Sequence, residues 1–244
     1  MAHPNGVPIV PLSVKGNLMG RLICSGGKWG GPIGSEMHGL NSNWIGNPAV
    51  KLSECVALLE NHLEIDYVNG KGWQPTDSQR HLARELTARL DEGQLKTELG
   101  IRSFRYKNFE DSVFAHLFRP QFTVTGMHSG FVGEGKSVKV SIPSSAQAVV
   151  NMRFQPGQDP ESGIAQIRRI LDHAGFSDIQ FEVNNAYAGG GSSPEDPIVK
   201  CVLNVHSEMG LEPEVWPVHP IAIPVAIWTD YLKLPWIGGV PCHA

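Results

Sequence analysis

The chain has 244 residues, of which 41% are hydrophobic and 18% are charged, and its formal net charge is −4. This composition is typical of a globular protein and excludes disordered and collagen-like chains. A slightly acidic chain without clustered lysine and arginine indicates neither a nucleic acid nor a membrane as partner. The four cysteines form no CxxC pair and the N-terminus resembles no export signal, so we expect a soluble, cytoplasmic protein.

Two short apolar runs near the start of the chain predict strands at 9–12 and 18–24. The loop that follows, 25–32, is rich in glycine but has neither the GxGxxG nor the GKS/T arrangement that binds phosphate. Nucleotide binding is therefore not indicated.

A single histidine, His38, lies in a glycine-containing loop before a well-marked helix start. Asn47 is a favourable N-cap, and Pro48 suits the first turn, where its missing N–H costs nothing. Apolar residues then recur at helical spacing: Ala49, Leu52, Val56 and Leu59. The pattern predicts an amphipathic helix that begins directly after the loop of His38. A hydrogen bond within the turn would also explain a lone histidine in this loop.

The middle of the chain changes from helical to strand patterns. A polar insertion at 73–100 contains one predicted helix, and a second helix begins at Asp159-Pro160 and ends at Gly175. Strands are predicted at 122–125, 138–142, 148–154 and 179–183. Together these elements predict an α+β open-faced sandwich, an antiparallel sheet with helices on one face, over residues 14–185.

A stretch rich in glycine, serine and proline, 187–197, indicates a linker. Beyond it the sequence predicts a strand at 214–218, an apolar helix at 224–232 and a strand at 234–237. A helix directly after the linker has a predicted apolar face formed by Ile198, Val202, Val205 and Met209. Because such a short segment cannot close an α/β layer alone, we expect 1–13 and 186–244 to be parts of a larger α/β catalytic domain.

Several motifs occur in an order that resembles one family of zinc metallopeptidases. The motifs are 9–16, Glu36-Met37-His38 followed by Asn47-Pro48-Ala49, 122–126, 141–146 and 152–156. Over nearly its full length the chain resembles the family of aminoacylases, carnosinase-type dipeptidases, and acetylornithine and succinyl-diaminopimelate deacylases. The polar insertion is similar to that of the dipeptidase branch.

The resemblance implies a dinuclear zinc site in the catalytic domain and an inserted lid that pairs with a second lid to form a homodimer. In that family a lid histidine completes the active site of the partner subunit, which implies that His38 donates a hydrogen bond to the oxyanion of the transition state. Arg153 would bind the carboxylate of a small peptide or acyl-amino-acid substrate, and Ser141 would also contact substrate. A surface ion pair on a strand is the other interpretation of Arg153.

The zinc ligands of that family are mostly absent from this sequence. They come mainly from a His-x-Asp pattern, a further aspartate and a Glu-Glu pair, and the chain contains neither His-x-Asp nor Glu-Glu. His243 is either the last metal ligand or the loop residue ahead of it. In addition, 220–224 and Val140 replace polar residues that contact substrate in the family.

These departures leave two hypotheses. The first is the dimerisation lid and C-terminal part of a zinc-dependent dipeptidase or amidohydrolase, without the N-terminal catalytic part and inactive as this chain. The alternative is a non-catalytic dimerisation or binding module descended from that family.

Overall fold

The computed structural model describes residues 7–68, 73–131 and 139–239, with only the backbone path for 63–68. The strands are β1 (Ile9–Pro11), β2 (Ser13–Ser25), β3 (Met37–His38), β4 (Gln121–Ser129), β5 (Ser141–Ile142), β6 (Ser145–Phe154), β7 (Gln180–Tyr187), β8 (Gly190–Gly191), β9 (Glu214–Trp216) and β10 (His219–Ala222). The helices are α1 (Pro48–Val68), α2 (Asp77–Arg89), α3 (Glu92–Leu99), α4 (Phe109–Phe118), α5 (Pro160–His173) and α6 (Pro197–Glu208). No described helix combines the length and the apolar character needed to cross a bilayer.

Four antiparallel strands in the order β7-β2-β6-β4 form the central sheet. Alternate residues of β6 are buried, as expected for a strand with one face on a core. The buried side chains, which include Ala146 and Phe154, pack in one cluster with residues of α1 and α5, whereas Arg153 and its alternate neighbours lie on the opposite, open face. The predicted α+β open-faced sandwich is confirmed.

Helices α1 and α5 begin directly after the N-cap residues that were predicted from the sequence. The Asn47 side-chain oxygen accepts a hydrogen bond from the Ala49 N–H at 2.9 Å, which caps α1. The Asp159 carboxylate accepts one from the Ser162 N–H at 3.0 Å at the start of α5. Gly175 follows the end of α5 with a φ of +83°, a left-handed conformation that glycine adopts without strain. Both predicted helices are therefore confirmed.

Helices α2 and α4 pack on the C-terminal segment of the chain. Val218 shares a buried cluster with side chains of α2 and α4: Ala83, Leu86, Val113, Leu117 and Phe118. β1 pairs in parallel with β9, and Val10 of β1 packs with Val199 of α6. The predicted boundaries 1–13, 14–185 and 186–244 stay a prediction.

β2 takes part in two different sets of strand pairs. Its first residues, 13–15, pair with β8 and, in parallel, with β10. Its remaining residues, 16–25, pair with β6, and most of them also pair with β7. A single strand therefore joins the central sheet to the C-terminal segment.

Some predicted strands differ from the observed ones. β4 continues through Gly126 to Ser129, because a bulge between Val124 and Gly126 maintains its pairing with β6. The described part of the predicted strand at 138–142 contains only β5, which pairs with β3 and not with the central sheet. Residues 234–237 form no strand, and the Trp236 N–H donates to the Ser192 hydroxyl instead.

The C-terminal segment also departs from its predicted pattern. The stretch at 187–197 contains β8 and is therefore more than a linker. The predicted helix at 224–232 is a short π-helical segment, Ile227–Tyr231. α6 buries Val199 and packs it with Val202 and Leu203, whereas three residues of the predicted apolar face are exposed: Ile198, Val205 and Met209.

Candidate functional site

His38 lies at the end of β3, where it is the register partner of Ser141 in β5. Its Nδ1 accepts a hydrogen bond from the Leu40 N–H at 3.2 Å and so caps a 3₁₀ turn, Gly39–Asn41. In a neutral imidazole whose Nδ1 accepts, Nε2 carries the proton and is a donor. Because the side chain is exposed, this donor is accessible to a group outside the loop.

Ser141 is held by a carboxylate next to His38. Its hydroxyl donates to Glu36 Oε2 at 3.1 Å, and Lys139 Nζ donates to Glu36 Oε1 at 2.9 Å. The hydrogen bonds from Lys139 and Ser141 lower the pKa of Glu36, so this carboxylate is ionised at neutral pH. The structure therefore brings His38 and Ser141 together on one small sheet, with the Ser141 hydroxyl engaged by Glu36.

Large apolar side chains are exposed on the same part of the surface. Leu40 and Trp44 follow His38 in the loop, and the Val140 carbonyl accepts a hydrogen bond from the Gly39 N–H at 2.9 Å. All three apolar side chains are mostly exposed to solvent. An apolar group of this size on a surface indicates contact with another molecule.

Arg153 lies on the open face at the other end of β6, in register with Asn17 of β2 and Gln121 of β4. Its Nη1 donates to the Pro220 carbonyl at 2.8 Å, so the guanidinium bonds the central sheet to β10. Beside it, Asn151 Nδ2 donates to Asn17 Oδ1 at 2.7 Å. The hydrogen-bond partner of Arg153 is thus a backbone carbonyl, and both interpretations of this residue stay predictions.

Three further basic residues lie near Arg153: Lys15 and His219 are buried, and His116 keeps an exposed surface that lines the cavity described below. Burial and then the positive charge of Arg153 lower the pKa of Lys15 to about 7. Desolvation by the surrounding protein, followed by the charges of Lys15 and Arg153, lowers the pKa of His116 to about 4, and burial is the main cause that lowers the pKa of His219 to about 4. At neutral pH His116 and His219 are therefore uncharged and Lys15 is only partly protonated, so Arg153 is the main positive charge of this group.

These three residues were not predicted from the sequence. Lys15 lies in a part of β2 that also contains Ser13 and Asn17, whereas His116 interrupts the apolar residues of α4. A polar residue within an apolar helical run is the signal that could have identified His116, and Lys15 has no such signal. His219 follows a short strand and offers no comparable signal.

A cavity of about 1120 Å³ opens beside Arg153. The open face of the central sheet forms its floor, and α4 and the loop before it form a wall. His116, Arg119 and Arg153 contribute basic groups to the lining, and Trp216 contributes an aromatic ring. A concave site with a few polar groups in an apolar lining is typical of small-molecule binding.

The described residues do not form a zinc site. Within 7–68, 73–131 and 139–239, no three His, Cys, Asp or Glu side chains are grouped so that they could hold a metal ion. His243, the predicted metal ligand, lies outside the described residues. A dinuclear zinc site needs several such ligands and a carboxylate base, so this donor set does not fit the metal.

A family model described as the peptidase dimerisation domain matches residues 34–178 of the chain. The match covers more than half of the chain and includes the helix and strands that hold His38 and Arg153. The chain belongs to this family, which confirms the resemblance stated from its motifs.

Three solved structures share the fold. One is an M20 family metallo-carboxypeptidase, Sso-CP2, from Sulfolobus solfataricus, with 24% identity and a TM-score of 0.80 over 98% of this chain and 54% of that one. The di-peptidase Dug1p from Saccharomyces cerevisiae has 16% identity and a TM-score of 0.69, over 95% of this chain and 48% of its own. Human carnosine dipeptidase 1 has 15% identity and a TM-score of 0.67, over 93% of this chain and 48% of its own. The chain thus spans about half the length of these proteins. No curated protein sequence matches it.

Proposed function

We propose that the chain supplies the dimerisation lid and part of the substrate-binding wall of a zinc-dependent dipeptidase or related amide hydrolase. The named structures with this fold are a carboxypeptidase and two dipeptidases, which supports a peptide or acyl-amino-acid substrate. The metal ligands and the general base would come from outside the described residues, so the described part of the chain does not hydrolyse such a substrate alone.

The placement of His38 and Arg153 is the observation that supports this proposal. His38 is the register partner of Ser141, four residues before the start of β6, whereas Arg153 lies near the far end of that strand. Eight residues separate Ser145 from Arg153, which corresponds to roughly 26 Å along a strand. One chain therefore does not bring both side chains to one small substrate, but two chains related by a two-fold axis do.

β4 is the edge that would pair with a second chain. It hydrogen-bonds to β6 on one side, and its sequence has no Asp, Glu, Lys or Arg to oppose another strand. The opposite edge, β7, contains Glu182, which forms an ion pair with Arg21. The C-terminal end of β4 also lies next to the segment of β5, since a Cβ on Gly130 would contact Pro143. Pairing at β4 therefore places the His38 loop near the partner.

In such a dimer the two side chains have different tasks. The His38 Nε2–H of one subunit would donate to the oxyanion that forms when the amide carbonyl becomes tetrahedral. The Arg153 guanidinium of the other subunit would bind the carboxylate of the substrate. Ser141 would orient the His38 loop through Glu36 and contact substrate from the same side.

The second candidate is a non-catalytic dimerisation or binding module. Two departures in the sequence favour the binding module. In the family that the chain resembles, polar residues that contact substrate stand at the positions of Val140 and 220–224. The coding sequence on either side of these 244 codons discriminates between the two candidates. In-frame His-x-Asp and Glu-Glu patterns there support the hydrolase, and their absence supports the binding module.

The test of lid pairing is light scattering on the full 244-residue chain with two matched variants. We expect the wild type to be a dimer at tens of micromolar. Met127→Glu, at an exposed position of β4, places like charges on facing strands and should give a monomer. Asn184→Glu makes the same addition on β7 and should leave the dimer intact. A monomeric wild type, or a dimer lost only with Asn184→Glu, contradicts the proposal.

A further inference from the structure

Two exposed apolar side chains, Leu40 and Trp44, make up an apolar knob on the loop of His38. Leu40 is 74% exposed and Trp44 is 79% exposed. The loop from His38 to Asn47 contains no Asp, Glu, Lys or Arg. Large apolar side chains on an uncharged surface loop are typical of a contact with another molecule, and tryptophan is among the residues that contribute most to such contacts.

The Trp44 ring is held in position by its own loop. Its indole N–H donates to Asn41 Oδ1 at 3.0 Å, and Asn41 Nδ2 donates to the His38 carbonyl at 3.2 Å. Because the indole N–H already has an acceptor, burial of the ring would leave no polar atom without a partner. A side chain that is fixed before contact also loses little conformational entropy on binding. Trp44 is therefore suited to enter an apolar space.

The cavity beside Arg153 has an apolar end that offers such a space. The side chains that line this end come from β2, α3, the loop after α3 and the start of α4: Met19, Leu95, Leu99, Ile101, Phe104 and Phe109. Leu99 is 61% exposed and Ile101 is 37% exposed. Among the described residues of the lining, Glu60 has the only carboxylate, and Arg105 Nη1 binds it at 2.9 Å. An uncharged knob is therefore complementary in charge to this part of the cavity.

Pairing at β4 would bring the knob of one subunit to the cavity of the other. The cavity lining includes 121–123 and Thr125, in the first half of β4. The last residue of β4, Ser129, pairs with Ala146 of β6, and β5, the partner of the strand that ends at His38, directly precedes β6. Two antiparallel β4 strands related by a two-fold axis place the end of one opposite the start of the other. The loop of His38 then lies beside the partner's cavity, twice in each dimer.

The size of the contact suits a dimer of two copies of this chain. Specific protein interfaces bury about 1,200 to 2,000 Å² in total. A buried tryptophan accounts for about 150 to 250 Å², so the two copies of Trp44 would add about 300 to 500 Å² to the area that β4 covers. A second copy as the partner is supported by the match to the peptidase dimerisation domain, 34–178, which includes both the knob and the apolar end of the cavity wall.

We propose that the knob of each subunit inserts into the apolar end of the partner's cavity, where Trp44 contacts Leu99 and Ile101. This inference rests on the proposed function, because it requires paired lids, and it assigns them a second contact in addition to β4. The partner then closes the apolar end of the cavity and leaves the end at Arg153 accessible to a ligand.

The first test replaces Trp44 by the photo-crosslinker p-benzoyl-L-phenylalanine in the full 244-residue chain. We expect irradiation to give a covalent dimer with the crosslink in the peptide that contains Leu99 and Ile101. A mixture with isotope-labelled protein distinguishes crosslinks between subunits from those within one subunit. The same replacement at Val50, an exposed position of α1, is the matched control and should give no crosslink to that peptide. A crosslink from position 44 to a different part of the partner, or no crosslink, overturns the proposal.

The second test is a double-mutant cycle in which analytical ultracentrifugation measures the dissociation constant of the dimer. Trp44→Ala and Leu99→Ala should each raise this constant about tenfold, and the double variant should raise it no further than the larger single effect. Both positions are exposed, so the fold is retained. Ile33→Ala, at a position that is 80% exposed and outside both surfaces, should leave the constant unchanged. Additive effects, or an unchanged constant in Trp44→Ala, contradict the proposal.

The outcomes separate this inference from the proposed function. A dimer that is lost with Met127→Glu but unaffected by Trp44→Ala keeps the pairing at β4 and overturns the contact of the knob. A coupled cycle in a dimer that survives Met127→Glu supports the knob and contradicts pairing at β4. A monomeric wild type overturns both.

Discussion

Lys15 is a buried ammonium group whose partners are carbonyls. Among the described residues no carboxylate forms an ion pair with it, and burial of an unpaired charge is costly. The carbonyls of His116 and Arg119 at the end of α4 compensate in part, because the C-terminal end of a helix favours positive charge. With a pKa lowered to about 7, the ammonium and the neutral amine are both populated near neutral pH.

This pKa predicts that the protein becomes more stable as the pH rises above neutral. Lysine in the unfolded chain keeps a pKa of 10.5, so between pH 7 and 10.5 the folded chain binds fewer protons than the unfolded chain. The free energy of unfolding then increases with pH. From pH 7 to about pH 8.5 we expect an increase of about 1 to 2 kcal/mol, measured by urea unfolding.

The predicted increase in the free energy of unfolding is limited to the range below about pH 8.5, because the buried cysteines lower this free energy at higher pH. Burial raises the pKa of Cys24 to about 11 and that of Cys55 to about 12, so both oppose stability above pH 9. Lys15→Met should lose the increase with pH, whereas Lys200→Met, at an exposed position, should keep it. An unchanged slope in Lys15→Met would show that another group titrates.

Among the elements, α1 links the lid core to the His38 loop, and Asn47 caps its first turn. Asn47→Ala leaves the Ala49 N–H without its side-chain acceptor, so we expect a loss of about 1 kcal/mol in the free energy of unfolding. Asn43→Ala, the same change at an exposed loop position, should be nearly neutral. Urea unfolding of both variants checks this, and equal losses would contradict the role of the cap.

Elements with local signals could be predicted from the sequence. α1 and α5 have both an N-cap and a proline in the first turn, and the alternation along β6 reports which face is buried. The pairing of β5 could not be predicted, although a strand was predicted at 138–142, because its partner is the distant β3 and two residues carry no periodicity. α6 has apolar residues on two stripes, and packing against β1 determines that the one with Val199 is buried.

The candidate site was predictable only where a motif marked it. His38, Ser141 and Arg153 followed from motifs, and their proposed roles stay predictions. The group of Lys15, His116 and His219 depends on contacts between β2, α4 and β10, which are far apart in the chain. No local pattern reports such contacts, so the proximity of these three residues to Arg153 required the structure.

For the whole molecule, metal content is a direct measurement. We expect the chain to retain no stoichiometric zinc after dialysis at neutral pH, because the described residues offer no group of three ligands. A single imidazole, such as His243, does not offset the dehydration of the metal. Stoichiometric zinc that is retained by the wild type and lost in His243→Ala would contradict this and assign His243 as a ligand.

Because β2 pairs with strands of both the lid and the C-terminal segment, it limits where the chain can be cut. A cut after residue 185 would remove β8 and β10, which are the strand partners of residues 13–15. It would also remove Val218 from the buried cluster that it forms with α2 and α4. Neither product would keep its own set of strand partners. We therefore expect truncation and gene fusion to require the lid and the C-terminal segment together, and an exchange between related proteins to carry both.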